Sequence, residues 1–236
     1  VINILDLEQD ELKKEIESLG EASFRAKQVW QWIYRGVESF DEMTNLPKAF
    51  REKMKDRFHP GGVKITRTLV SEKDGTRKYL FATLDGKAVE GVLMKYNYGN
   101  SVCLSTQIGC RMGCRFCASA GLGIDRSLTA GEMMAQVLAI QRDIGERVSH
   151  VVLMGIGEPF DNYGNVMCFL RRLNSPETLE ISYRRMTVST CGLVPEIIRF
   201  SEEELPINLS VSLHAPNDAI RTQIMPVAKR YPFDKI

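Results

Sequence analysis

Three closely spaced cysteines constrain this chain more than any other feature of its sequence. Cys110, Cys114 and Cys117 are spaced Cys-x3-Cys-x2-Cys, in a chain that holds six cysteines in all. Thiolates are the usual ligands of iron-sulfur clusters, and a closed cubane of four irons takes four of them. A group of only three leaves one iron without a protein ligand, free to take a small molecule. The spacing therefore predicts a 4Fe-4S cluster that can do chemistry as well as carry electrons.

Two plainer interpretations of the cysteines compete with the cluster. Structural zinc usually takes two Cys-x2-Cys pairs, or cysteine pairs with histidine. Only Cys103 is a nearby fourth thiol, and the three histidines are distant in the sequence. Disulfides are favoured in secreted chains, and nothing here resembles a secretion signal. The cysteine usage therefore predicts a reducing, cytoplasmic environment, with zinc as the weaker alternative.

Four ordered motifs lead into the triplet and follow it. They are Ser-Val-Cys-Leu-Ser-Thr-Gln-Ile-Gly-Cys at 101–110, Met-Gly-Ile-Gly-Glu-Pro at 154–159, Thr-Val-Ser-Thr-Cys-Gly at 187–192 and Ser-Val-Ser-Leu-His-Ala-Pro-Asn-Asp at 210–218. Together with the triplet they resemble the RlmN group of adenine-C2 RNA methyltransferases, in its bacterial form, within the radical S-adenosylmethionine (SAM) superfamily. The resemblance runs over nearly the whole chain.

Composition is consistent with an enzyme but does not indicate a substrate. The chain has 236 residues, 44% of them apolar, and its 31 Lys and Arg nearly balance 30 Asp and Glu. Overall charge therefore neither predicts nor excludes an RNA ligand. Members of the resembling family are longer, and no cysteine follows Cys191. We therefore expect a C-terminally truncated piece that lacks the methyl-carrying cysteine and does not transfer methyl groups by itself.

Hydrophobic spacing divides the chain into three regions. Residues 1–60 show helical spacing, and the resemblance implies that they form an accessory RNA-recognition domain. Over residues 61–97 the period changes to two around two Asp-Gly pairs, which predicts an antiparallel β meander that acts as a connector. Residues 98–236 alternate strand-like and helical segments, which predicts parallel strands with helical crossovers.

The motifs that carry chemistry follow predicted strands. Strand-like runs cover 101–106, 149–154, 186–190 and 207–213. Ligands of parallel α/β sheets and barrels bind at the carboxyl ends of the strands. We therefore expect an α/β fold in which the motifs converge on one rim. The resemblance implies a partial (β/α) radical SAM barrel, of which this chain would include about the first four of six units.

The resemblance also implies roles for individual residues. Cys110, Cys114 and Cys117 would bind the 4Fe-4S cluster, whose open iron would chelate SAM. The positions matching SAM contacts in the family are Phe116, Gly157, Glu158, Ser189, Ser212, Leu213 and His214. A carboxylate at Glu158 can accept a hydrogen bond from the SAM ammonium, and glycine at 157 allows close approach of the backbone. A plain tight turn at Gly157 and a structural role for His214 remain the alternatives.

Two residues match family positions that act on the RNA adduct. Cys103 would resolve a covalent enzyme-RNA adduct by forming a disulfide with the methyl carrier, and Glu90 would assist proton handling. Without the resemblance, Cys103 is equally an ordinary buried small side chain. Cys168 and Cys191 are interpreted as structural.

The implied activity is methylation of adenine C2 through a methyl-cysteine intermediate. The substrates would be 23S rRNA, at the peptidyl transferase centre, and tRNA, at the adenine 3′ of the anticodon. An electron donor such as flavodoxin is expected as a partner, and a membrane is not. Pro159 favours this group over a sister group that methylates adenine C8 and usually has alanine there. A non-catalytic iron-sulfur protein and a zinc RNA-binding protein are the alternatives outside the family.

Overall fold

The computed structural model describes residues 1–236, apart from the side chain of Leu122. The described residues form seven α-helices. They are α1 (Gln9–Ser18), α2 (Phe24–Ile33), α3 (Lys48–Arg57), α4 (Ala130–Ile144), α5 (Tyr163–Asn174), α6 (Val194–Ser201) and α7 (Asp218–Ile224). None of the helices in this described chain combines the length and the apolar character needed to cross a membrane.

Most strands join one mixed sheet. The strands are β1 (Ile2–Asn3), β2 (Phe58–His59), β3 (Val63–Val70), β4 (Arg77–Thr83), β5 (Ala88–Tyr96), β6 (Gly99–Cys103), β7 (Gln107–Gly109), β8 (Ile124–Ser127), β9 (Val148–Leu153), β10 (Met186–Thr190) and β11 (Asn208–Val211). Seven of them form a sheet in the order β11-β10-β9-β6-β5-β4-β3. Strands β3 to β6 pair antiparallel, and β6, β9, β10 and β11 pair parallel.

The meander and the parallel strands are therefore one structure. The two Asp-Gly pairs form the turns that the sequence predicts, with Gly75 at φ +70° and Gly86 at φ +78°. These left-handed values favour glycine. Beyond β5 the chain turns back into β6, which pairs with β5 on one side and β9 on the other. The sheet thus runs without interruption across the boundary expected at residue 97.

One face of this sheet is buried on its central strands, and the other, which we call the open face, is half-exposed. On β5, Val89 and Leu93 are buried in the common core with α4 and α5, whereas Glu90 on the opposite face is half-buried. Directly paired residues of neighbouring strands share a face. The open face extends over four strands, β5, β6, β9 and β10. Its paired residues are Val92 with Cys103, Cys103 with Val152, and Val152 with Thr187.

The N-terminal helices pack against the buried side of the sheet through α4 and α5. Apolar side chains of α1, α2 and α3 join the same core cluster as those of α4 and α5. Helix α4 begins at the capping box that the sequence predicts, with the Thr129 hydroxyl accepting from the Glu132 N–H and the Glu132 carboxylate accepting from the Thr129 N–H. Because the core is continuous, the N-terminal region is held firmly to the sheet domain.

Arg172 is the polar link between the N-terminal region and α5. Its side chain is 6% exposed, and its guanidinium donates to the carbonyl oxygens of Leu5 and Asp6. The same group donates to Glu8 Oε1 from Nε at 3.0 Å and from Nη2 at 2.6 Å. A buried guanidinium needs such acceptors because leaving a charged group unsatisfied inside a protein is costly.

We expect Arg172→Met to lower the free energy of unfolding by about 2–4 kcal/mol, because it removes several charge-assisted hydrogen bonds from a buried position. Urea unfolding followed by circular dichroism measures the change. The neighbouring Arg171 is an exposed partner of Glu203 and provides the matched control. Arg171→Met should cost less than about 1 kcal/mol. Equal losses in the two variants would contradict the role given to Arg172.

Candidate active site

The cysteine loop is held at both ends by backbone contacts. Strands β7 and β8 pair antiparallel beneath it, and the Cys110 N–H donates to the Gly123 carbonyl at 2.8 Å. Gly109 has φ +76°, and a Cβ there would collide with the Gly123 carbonyl oxygen, so only glycine fits. Farther along, the Arg115 N–H donates to the carbonyl of Ile224, at the end of α7, at 2.8 Å. These contacts fix the loop between the β7–β8 pair and α7.

The three thiols of this loop lie close enough to influence one another. Cys110 and Cys114 are half-buried, and Cys117 is exposed. Burial raises the pKa of the Cys110 and Cys114 thiols above the ordinary value. The charges of the neighbouring thiolates and of Glu158 raise the pKa of both further. The predicted triplet and Glu158 therefore lie within electrostatic range of one another.

The chemistry of these donors fits an iron-sulfur cluster. Burial and nearby negative charge disfavour the thiolates of Cys110 and Cys114, and the positive charge of bound iron would stabilise them. Among the described side chains, no set of three His, Cys, Asp or Glu converges as ligands of a single metal ion would. Each thiolate of a four-iron cluster binds a different iron, so the cysteines need not meet at one point.

Glu158 is a buried carboxylate held by backbone donors. It is 4% exposed, and it accepts from the Phe160 N–H at Oε1, at 3.1 Å, and from the Cys191 N–H at Oε2, at 2.8 Å. Burial raises the pKa of this carboxyl, and hydrogen bonds from Cys191 and Thr190 oppose the rise. Because a carboxylate oxygen can accept more than one hydrogen bond, each still has capacity for a cationic donor.

Packing alone accounts for the glycine at position 157. Gly157 has φ +108°, and a Cβ there would lie 2.7 Å from the Gln107 Cβ and 2.8 Å from the Thr106 hydroxyl oxygen. Glycine is therefore required by the contact of this turn with the segment around β7, whether or not a ligand is bound. The contact of Gly157 with SAM stays a prediction.

Residues from two distant segments meet on the exposed side of the cysteine loop. The Phe116 ring, 54% exposed, lies 4.6 Å from the His214 ring between centroids. His214 has φ +53°, a left-handed conformation that is uncommon outside glycine. Next to it, the Ser212 N–H donates to the Thr190 carbonyl at 2.9 Å, and Leu213 is exposed. An aromatic and an imidazole ring thus form an open wall beside the predicted cluster ligands.

Ser189, Cys103 and Glu90 share the open face of the sheet. Cys103 lies on it by its pairing with Val92, Ser189 lies two residues beyond Thr187, and Glu90 lies two residues before Val92. Burial raises the pKa of the Cys103 thiol. Glu90 forms an ion pair with Lys78, its Oε1 lying 2.8 Å from Lys78 Nζ, and both side chains are about half-exposed.

The structure adds residues that the sequence does not single out. Arg221 of α7 is fully buried, and it donates to the carbonyls of Cys191 at 2.7 Å and Tyr231 at 3.0 Å. Since the Cys191 N–H donates to Glu158 and its carbonyl accepts from Arg221, the backbone of this one residue connects α7 to the Glu158 carboxylate. Burial, followed by the Glu158 charge, raises the pKa of the Cys191 thiol far above its ordinary value, which agrees with a structural role.

Gln107, Asp161 and Arg111 also enter the site without having been predicted. Gln107 is fully buried, and its side chain accepts from the Glu158 N–H. Asp161 forms an ion pair with Arg111, which lies in the cysteine loop. Closeness in the sequence could have indicated these three residues, because each lies within three residues of a predicted site residue.

Known protein families match both parts of the chain. Residues 2–59 match the ribosomal RNA large subunit methyltransferase N-terminal domain, and residues 104–236 match the radical SAM superfamily. The superfamily match covers the cysteine loop, the Glu158 turn and the segments after β10 and β11. The fold and the site thus define a radical SAM enzyme with an additional N-terminal domain.

Individual relatives agree over the full length of the chain. A probable dual-specificity RNA methyltransferase RlmN of Clostridium novyi is 49% identical over 235 residues, covering 99% of this chain and 68% of the relative. Its counterpart in Desulforamulus reducens is 51% identical over 236 residues, which cover 100% of this chain and 67% of that relative. The crystal structure of a radical SAM methyltransferase from Sphaerobacter thermophilus matches with a TM-score of 0.93 at 41% identity, over 100% of this chain and 70% of that one.

The chain belongs to the RlmN family of radical SAM methyltransferases. It is an enzyme of the class that uses a 4Fe-4S cluster and SAM, as the cysteine spacing and the motifs predict. The chain spans about two thirds of the length of the relatives it matches.

If Glu158 accepts from the SAM ammonium, Glu158→Ala should weaken SAM binding about tenfold to a hundredfold, the scale of a charge-assisted hydrogen bond of about 1.5–3 kcal/mol. Calorimetric titration of SAM into reconstituted protein measures the change, and iron content should stay at the wild-type level. Glu203→Gln, which alters a carboxylate on the Arg171 ion pair, is the control. Unchanged affinity in Glu158→Ala would remove Glu158 from the SAM site.

Proposed function

We propose that this enzyme methylates C2 of adenine in 23S rRNA, at the peptidyl transferase centre, and in tRNA, at the adenine 3′ of the anticodon. One observation carries the proposal: the segments that hold the cysteine loop and Glu158 follow the parallel strands β6 and β9 and are joined by the hydrogen bond from the Glu158 N–H to Gln107, in a chain about half identical to RlmN relatives. The name of those relatives, dual-specificity RNA methyltransferase, supports two RNA substrates.

Three thiols and a surrounding set of polar groups would hold the cofactors. Cys110, Cys114 and Cys117 would bind the 4Fe-4S cluster, which together with SAM supplies the radical chemistry that activates the methyl group. Glu158 would orient SAM by accepting from its ammonium, and the buried setting strengthens that hydrogen bond. The remaining SAM contacts would come from Phe116, Ser212, Leu213 and His214 at the open wall, from Ser189 on the open face and from the turn at Gly157.

Cys103 and Glu90 would act on the RNA adduct. The Cys103 thiolate would attack the sulfur of the methyl-carrying cysteine and form a disulfide as the carbon-sulfur bond of the adduct breaks. The electron pair of that bond would pass to the methylene carbon attached to adenine C2, which takes up a proton and becomes the methyl group. Because burial raises the pKa of the Cys103 thiol, a base must first take its proton. Glu90, a carboxylate on the same face of the sheet, is our candidate for proton handling at this step.

The accessory domain and the electron supply complete the proposal. Residues 2–59 match a domain named after ribosomal RNA methyltransferases, which supports a role for the N-terminal helices in RNA recognition. The one-electron reductant would be a donor such as flavodoxin, in the cytoplasm where the RNA substrates are found.

Anaerobic reconstitution tests the ligand assignment directly. We expect Cys110→Ala, Cys114→Ala or Cys117→Ala to abolish the iron-sulfur absorption, because each thiolate completes the coordination of one iron. Cys103→Ala should retain its iron and serves as the matched cysteine control. Iron loss in Cys103→Ala together with retention in Cys114→Ala would overturn the assignment.

Nucleoside mapping tests the reaction. The full-length gene product, incubated with SAM, a reductant and either 23S rRNA or tRNA, should form 2-methyladenosine, and Cys114→Ala should form none. Mass spectrometry of digested RNA separates the 2-methyl from the 8-methyl product. Formation of 8-methyladenosine would place the enzyme with the sister group and contradict the proposal.

A further inference from the structure

A chain of hydrogen bonds joins the cysteine loop to the turn that carries Glu158. Asp161 Oδ2 lies 2.9 Å from Arg111 Nε and accepts from Gln107 Nε2 at 2.8 Å. At its other end, the Gln107 amide oxygen accepts the Glu158 backbone N–H at 2.9 Å. Three side chains therefore bridge the segment between the first two predicted cluster ligands and the segment predicted to bind SAM.

The inner part of this chain is held rigidly. Gln107 is fully buried, and its Nε2 also lies 3.3 Å from the Ser127 hydroxyl. The Asp161 N–H donates to the Glu158 carbonyl at 3.0 Å within the short 3₁₀ helix Pro159–Asn162. Asp161 is thus fixed from two sides and presents its carboxylate toward the loop.

The outer part is more exposed, and Asp161 restrains it. The Arg111 side chain is 59% exposed, whereas that of Asp161 is 19% exposed. An isolated surface ion pair contributes little to stability. The Asp161 carboxylate, however, is already oriented by the buried Gln107 amide. Its pairing with Arg111 therefore costs Asp161 less side-chain entropy. Because Arg111 directly follows Cys110, its restraint limits how far the first ligand can turn.

We propose that Asp161 is a positioning residue that keeps the loop between Cys110 and Cys114 aligned with the Glu158 turn. The inference rests on the proposed function, in which the cysteines bind the cluster and Glu158 binds SAM. With Asp161 in place, the open iron and the acceptor for the SAM ammonium keep one relative orientation. Without it, the loop can retain its fold while the two halves of the SAM site drift apart.

Iron release from the reconstituted protein to a chelator, with and without SAM, tests this role. Asp161→Ala and Arg111→Ala should each speed release about threefold to tenfold, the range for a partly exposed charged hydrogen bond. The double variant should release iron no faster than the faster single variant, because both changes remove one interaction. Asp161→Asn, which keeps an acceptor for Gln107, should have a smaller effect.

Protection by SAM provides the second readout. SAM should slow iron release in the wild-type protein, and Asp161→Ala should show a smaller protection ratio, because its SAM site is misaligned. General loosening of the loop would instead speed release equally with and without SAM. Glu203→Ala, which removes the ion pair with Arg171, is the control and should match wild type.

Three results would overturn the inference: wild-type release rates in Asp161→Ala, additive effects in the double variant, or an unchanged protection ratio. If Asp161→Ala does not fold, Arg111→Ala decides, since its side chain is exposed. A different measurement, the iron content of Cys114→Ala, shows whether the proposed function itself fails. Wild-type iron content in Cys114→Ala would overturn the ligand assignment, whatever the behaviour of Asp161.

Discussion

The arrangement of the site depends on burying one carboxylate. Moving the charge of Glu158 out of water is costly unless hydrogen bonds replace the lost solvent. The donors come from separate segments: the Phe160 N–H from its own turn and the Cys191 N–H from the turn after β10. The Glu158 backbone is in turn bound by Gln107. Satisfying this carboxylate therefore joins two turns, and the bond to Gln107 adds the strand that leads into the cysteine loop.

The sheet separates stability from function by its two faces. Its buried face shares a continuous core with α4, α5 and the N-terminal helices, and Arg172 adds a polar link between them. Its open face carries Cys103, Glu90 and Ser189 without contributing them to that core. Residues on the open face can therefore serve chemistry at little cost to the packing that holds the fold.

Features that depend on neighbours in sequence were predictable. The capping box at Thr129 and Glu132, the two Asp-Gly turns and the strand at 186–190 all agree with the structure. Each is specified by a few adjacent residues, through a side-chain cap, a positive φ or a period of two. The cysteine spacing predicted the 4Fe-4S and SAM chemistry of the family in the same way, because the predicted ligands lie within one loop.

Contacts between distant segments were decided by the tertiary structure alone. The sequence placed a connector before the barrel, whereas the pairing of β5 with β6 makes the two a single sheet. It also gave no reason to single out the buried Arg221 or the link from Gln107 through Asp161 to the cysteine loop. Short spacings encode the family, the cofactors and the local elements, which is why these could be predicted before any contact between distant segments was known. Which polar groups meet depended on strand order and burial, because a side chain finds its partner only after distant segments have packed.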